Sequence, residues 1–189
     1  MFQPLPFDSA QGDDYVKTKI NMKKITIITI TALFSIHASA QLMSLGFVKN
    51  CMTYDRTAYS NELFRKHYFT TENAIATAQN NLLIGAMSYS NEKTPANGEI
   101  KVLSLIKDKQ QITEIYFVNG PKNDYSKNFT EVYNQMVSFF DNQIVFKSAK
   151  YNVDVTKFTK DKVYYYVYKL KEIPVIVVAN MKLDETYFK

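Results

Sequence analysis

The chain has no tryptophan, a single cysteine, two histidines and two arginines among 189 residues. Each shortage closes a class of function. One thiol cannot build a disulfide framework, and so few Cys and His leave no ligand set for a structural or catalytic zinc. The basic excess is therefore almost all lysine. With no basic run and no forked guanidinium cluster, it reads as a solvated face rather than a nucleic-acid footprint. Only five glycines and five prolines occur, which excludes collagen-like and low-complexity chains. Gly46, Gly85, Gly98 and Gly120 stand isolated, so no glycine-rich phosphate loop or dinucleotide fingerprint can form.

What is present is a globular composition: 46% hydrophobic, 22% charged and 14% aromatic, with 14 Tyr and 13 Phe. The clearest local signal lies at residues 22–41. Met22-Lys23-Lys24 supplies positive charge, Ile25 to Ile36 is an uncharged run, and His37-Ala38-Ser39-Ala40 offers the small residues a signal peptidase reads before Gln41. This is the layout of a secretory signal, predicting cleavage between Ala40 and Gln41. The run is shorter than the roughly 20 residues needed to span a bilayer, so no stable membrane span is expected after processing. Residues 1–21 carry Asp8, Asp13 and Asp14 with no helical or strand period, and read as a non-native upstream extension ahead of Met22. Residues 41–189 then form one mature α+β domain with 19 basic and 15 acidic residues, exported to the periplasm or the medium.

Within that domain, Phe129, Val132, Tyr133, Met136, Val137 and Phe140 fall on a 3.6-residue period. They predict an amphipathic helix between Asp124 and Asp141, capped by Asn123 or Asp124. A second helix is expected from about Thr53 to Tyr68, capped by Thr53 or Asp55. The remaining runs are rich in β-branched and aromatic residues, as strands are. Leu82–Ser90, Glu99–Lys107 and Ile112–Val118 make one set. Gln143–Thr159, bent or broken near Tyr151-Asn152, Lys162–Lys171 and Pro174–Met181 make the other. Turns are expected at Lys160-Asp161 and Glu172-Ile173.

The fold class that follows is α+β: two helix-plus-three-strand units (α-β-β-β twice) in an antiparallel sheet covered by helices on one face. The halves 51–119 and 123–181 read as a structural duplication. In element order the chain resembles the tandem helix-plus-sheet architecture of beta-lactamase inhibitor proteins and small outer-membrane assembly lipoproteins. That resemblance implies an architecture and no activity.

Catalytic chemistry is thin. After processing Cys51 and His67 are the one thiol dyad available, and an intervening helix would hold them on the order of 20 Å apart. His67 is also the only base for a serine triad, and no serine sits in a nucleophile elbow. Asp154, Asp161, Glu99 and Glu114 could converge as a carboxylate pair, although nothing in the sequence singles them out. Neither a cofactor nor a metal site is expected.

The feature that stands out is Val163-Tyr164-Tyr165-Tyr166-Val167-Tyr168-Lys169-Leu170. On a strand, Tyr164, Tyr166 and Tyr168 share one face with Leu170, and Val163, Tyr165, Val167 and Lys169 share the other. The tyrosines form either a core surface or an exposed ladder that grips a partner, since Tyr combines rigid area with a polar tip. The expected function is a non-catalytic binding domain, first a protein-interaction module using Tyr164, Tyr166 and Tyr168. The alternatives are a cleft between helix and sheet that binds a small molecule, sugar or lipid, and, third, a carboxylate hydrolase. Nucleic acid is not an expected partner.

Overall fold

The computed structural model describes residues 42–71, 86–107, 109–148 and 152–188, all within the compact unit Gln41–Lys189. The signal layout with Ala40 and Gln41, and the first four residues of the strand expected at Leu82, lie outside the described residues. Among the described residues three α-helices, α1 (Leu45–Asn50), α2 (Arg56–Arg65) and α3 (Ser126–Phe139), accompany eight strands. The strands are β1 (Phe69–Thr70), β2 (Ala86–Ser90), β3 (Glu99–Lys107), β4 (Gln110–Val118), β5 (Gln143–Ser148), β6 (Val153–Lys160), β7 (Val163–Leu170) and β8 (Ile173–Ala179). They form one antiparallel sheet in the order β1-β2-β3-β4-β8-β7-β6-β5. The fold is mixed α+β and mostly sheet.

The path explains that order. The first four strands run from one edge to the middle, α3 carries the chain to the far edge, and β5 to β8 return to the middle. There β8 pairs with β4, from Ile112 opposite Ala179 to Tyr116 opposite Val175. The run from Gln143 to Thr159 is two strands, β5 and β6, which pair with each other from Gln143 opposite Phe158 to Ser148 opposite Val153. The second set therefore holds four strands where three were expected. Asp161 and Lys162, at φ 51° and 65°, form the two-residue link between β6 and β7. Two consecutive positive φ values give the turn twist that matches a right-handed hairpin. Both tight links sit one residue from their expected places, because pairing of Lys160 with Val163 and of Leu170 with Ile173 fixes the turn residues.

Helix boundaries follow their caps. Asp55 accepts from the Ala58 amide at 2.8 Å and starts α2. Helix α3 begins at Ser126 with Tyr125, rather than Asn123 or Asp124, at the N-cap position; the Asn119 side chain accepts from the Tyr125 amide at 2.8 Å and Asp124 from the Ser126 amide at 2.9 Å. That start is pinned from behind: Gly98 takes φ 95° and a Cβ on Gly120 would lie 2.2 Å from the Gly98 nitrogen, so the β2–β3 and β4–α3 loops touch backbone to backbone. Helix α1 was not expected. Its approach is tied to α3 by Asn128, whose side chain accepts from the Met43 amide and donates to the Met43 carbonyl, both at 2.9 Å.

The helices lie on one sheet face. Phe47, Val48, Tyr59, Leu63, Val132, Met136 and Phe140 pack there with Val102, Ile115, Phe158, Tyr165, Ile176 and Val178. Val137, placed on the apolar stripe by its period, is 41% exposed at the stripe's margin. The opposite face is also apolar. Val155, Tyr166, Tyr168, Val175, Val177 and Ala179 form a second cluster, covered by Leu183 and Phe188 of the C-terminal segment. Among the described residues no helix is long and apolar enough to cross a membrane.

Candidate functional site

Strand β7 keeps the parity its sequence dictates. Tyr166 pairs with Val177 and with Lys157, so Tyr164, Tyr166 and Tyr168 face away from the helices. The structure brings the three together and lays the chain's own C-terminal segment over them. Tyr166 is 1% and Tyr168 6% exposed, and Tyr164 is half-buried. The Phe188 ring centre lies 4.9 Å from that of Tyr166 and 5.5 Å from that of Tyr168. The Tyr166 hydroxyl accepts from the Leu183 amide at 3.0 Å.

The same face carries Glu114 at the middle of β4, a buried carboxylate on a central strand. Tyr116 donates to one of its oxygens and Tyr187 to the other. Burial first, and then the neighbouring Glu114 charge, push the Tyr116 and Tyr187 hydroxyls far above the usual phenol range. Tyr168 is raised by the same two causes. Protonated phenols thus satisfy both oxygens of the one carboxylate, and the C-terminal segment is tied to the sheet centre through Tyr187. A buried charge is tolerable only with such partners.

The other carboxylates considered above do not join Glu114. Asp154 stands three residues before Lys157 on β6 and so points to the helix side, whereas Lys157 and Glu114 share the tail side. Asp161 is in the turn at the opposite end of β6 from Asp154. Glu99 begins β3, opposite Val118 and four residues along the β4 register from Glu114, roughly 13 Å at strand rise. Among the described residues no group of three His, Cys, Asp or Glu could hold a metal.

Cys51 and His67 also stay apart. Cys51 is fully buried, and burial pushes its thiol up to about 12 against a smaller opposing hydrogen bond from Thr113. His67 is exposed beyond the far end of the ten-residue helix α2, at φ 60°. Because the thiolate is the reactive form, Cys51 is expected to resist an aromatic disulfide reagent at pH 8 in the native protein and to react fully once guanidinium unfolds it. Rapid native labelling would contradict its placement.

The feature sequence reasoning missed is the edge. β5 is an outermost strand, at the edge opposite β1, and on it Ile144 is 52% and Val145 62% exposed. Ile144 pairs with Lys157 and so faces the tail side, while Val145, pairing with Thr156, faces the helix side. Beside the edge on the tail side opens a groove of about 490 Å³, with Phe146 and Tyr166 as apolar walls and Lys157, Lys182, Asp184 and Glu185 around them. Leu183 completes the lining. The sequence signal was the apolar triplet Ile144-Val145-Phe146, which breaks the alternation of a half-buried strand. No protein-family model, curated protein or solved structure matches this chain.

Proposed function

We propose that this chain is a small exported, non-catalytic protein-interaction module, and that β5 receives an extended segment of a partner polypeptide as a ninth strand. One observation carries the reading: an outermost strand leaves adjacent apolar side chains exposed on both of its faces. A free edge presents unpaired amide and carbonyl groups, and natural proteins blunt such edges with charge, proline or cover. On β5 the sequence Gln143-Ile144-Val145-Phe146-Lys147-Ser148 offers Lys147 alone. An occupant must match a row of backbone groups, which an extended chain does and a folded surface does not. Alternate side chains of the added strand would then pack beside Ile144 and Phe146 at the mouth of the groove, with Tyr166 buried beneath the C-terminal segment behind them. The uncharged run and small-residue site before Gln41 support export.

The test is selection of extended peptides from a random library against the purified protein, followed by amide exchange on the complex. Selected peptides are expected to slow exchange along β5. Changing Ile144 and Val145 together to Lys should weaken binding at least about tenfold, or about 1.4 kcal/mol. Both sites are more than half exposed, so the fold should survive the change. Peptides that bind without protecting β5, or that ignore the substitutions, would refute the proposal. So would pairing of β5 with a second copy of the chain, seen as a dimer by sedimentation that the same substitutions abolish.

A further inference from the structure

Helix α3 crosses the sheet on a diagonal, and the diagonal leaves a wedge open. Near its start Phe129 packs on Phe117 of β4, with ring centres 5.4 Å apart. At its end Phe140 packs on Tyr165 of β7 at 4.5 Å and on Phe158 of β6 at 5.5 Å. Strands β4 and β6 are separated by β8 and β7, and Phe117 and Phe158 lie toward opposite ends of the sheet. The helix therefore covers one corner of β4 and the opposite corner of β6. Among the described residues, the start of β6 and the end of β7 have no helical cover.

That corner is an open cleft of about 700 Å³, within the size range of small-ligand sites. Phe129 forms its helical wall. Val167 lies on the helix-side face, and Val153, Tyr168 and Leu170, whose side chains pack in the tail-side cluster, border the cleft at the strand ends. Its charged groups are Lys169, Lys171 and Asp154. Asp154 stands directly opposite Lys147 in the β5–β6 register, which adds a third lysine beside the cleft. The two lysines leave the rim with excess positive charge above an apolar floor.

We propose that this cleft binds a small amphipathic carboxylate, its apolar body against Phe129 and Val167 and its anionic head between Lys169 and Lys171. The shape supplies the site and the charge supplies the choice of an acid over a neutral amphiphile. This site is separate from the β5 edge, and its failure would leave the strand-addition reading untouched.

Dodecanoate and dodecanol, below their aggregation limits, are the probes, followed by heteronuclear NMR on the purified protein. Dodecanoate is expected to bind saturably and to shift the signals of Phe129, Val153, Val167 and Leu170, with dodecanol weaker. Lys169→Gln combined with Lys171→Asn should weaken dodecanoate about tenfold, the combined scale of two exposed ion pairs, and leave dodecanol within about twofold. Both lysines are exposed, and Asn tolerates the φ of 55° at position 171. The proposal is overturned by non-saturable binding, by shifts confined to other residues, by equal affinity for acid and alcohol, or by a double variant that binds dodecanoate unchanged.

Discussion

Phe188→Ala is expected to destabilise the protein by about 3–5 kcal/mol, the usual cost of removing a fully buried aromatic ring, although the residue lies outside every strand and helix. Segments without regular structure ordinarily tolerate change. This one does not have that freedom. Phe188 is 0% exposed and its ring meets Phe146, Tyr166 and Tyr168 on the sheet. Around it the segment is tied by Ser148, which donates to the Glu185 carbonyl at 3.0 Å, and by Tyr187, which donates to Glu114. Detachment of the segment would expose Tyr166, Tyr168, Val155 and Val177 together, so its docking is coupled to the sheet rather than to itself. Urea unfolding followed by circular dichroism gives the number, with Glu185→Gln, at an exposed side chain of the same segment, as the near-neutral control. A loss below about 1 kcal/mol would show that the segment docks weakly and that the tail-side face is stable uncovered.

That face also marks where sequence reasoning stopped. Periodicity is a local property, and it found what local patterns determine: α3 from its 3.6-residue stripe, β3 and β4 from their β-branched runs, and the parity of the β7 tyrosines. Cover is not local. Nothing in Tyr164–Tyr168 says what lies above them, because the covering residues are Leu183 and Phe188, in a stretch with no period of its own. One signal did exist. Pro174-Val175-Ile176-Val177-Val178-Ala179 is an unbroken apolar run, which a strand wet on one face does not need and a strand buried on both faces does. With the helices assigned to one side, the aromatic pair Tyr187-Phe188 was the nearest material for the other. Helix α1 escaped because six residues are too few to show a period. The shift of the α3 start reflects a cap assembled by Asn119 across a loop, a contact that spacing alone cannot reveal. Glu114 looked like one carboxylate among four until the sheet put Tyr116 and Tyr187 on its two oxygens.

The same burial predicts how the fold fails. In the native protein Tyr59 and Tyr68 are held far above the usual phenol range by burial, and Cys51 is pushed up to about 12. Each is an acid whose pKa is higher folded than unfolded. Below the unfolded values, near 10 for Tyr and 9.0 for Cys51, both states keep their protons and the native state loses nothing. As pH rises past them the unfolded chain releases protons that the folded chain retains, so the unfolded state binds fewer protons and stability falls. Each group contributes up to about 1.4 kcal/mol per pH unit, and these three together approach roughly 4 kcal/mol per unit. Stability in urea should therefore be insensitive to these groups up to about pH 9 and drop steeply between pH 10 and 12. Against a total of about 5–15 kcal/mol for a domain of this kind, two to three units suffice for unfolding. Tyrosinate absorbance recorded alongside separates this from a trivial titration: the buried phenols should ionise in the same cooperative step that unfolds the sheet. Full ionisation near pH 10 with the circular dichroism unchanged would mean that Tyr59 and Tyr68 reach water in the native state, and that the helices do not seal the core they cover.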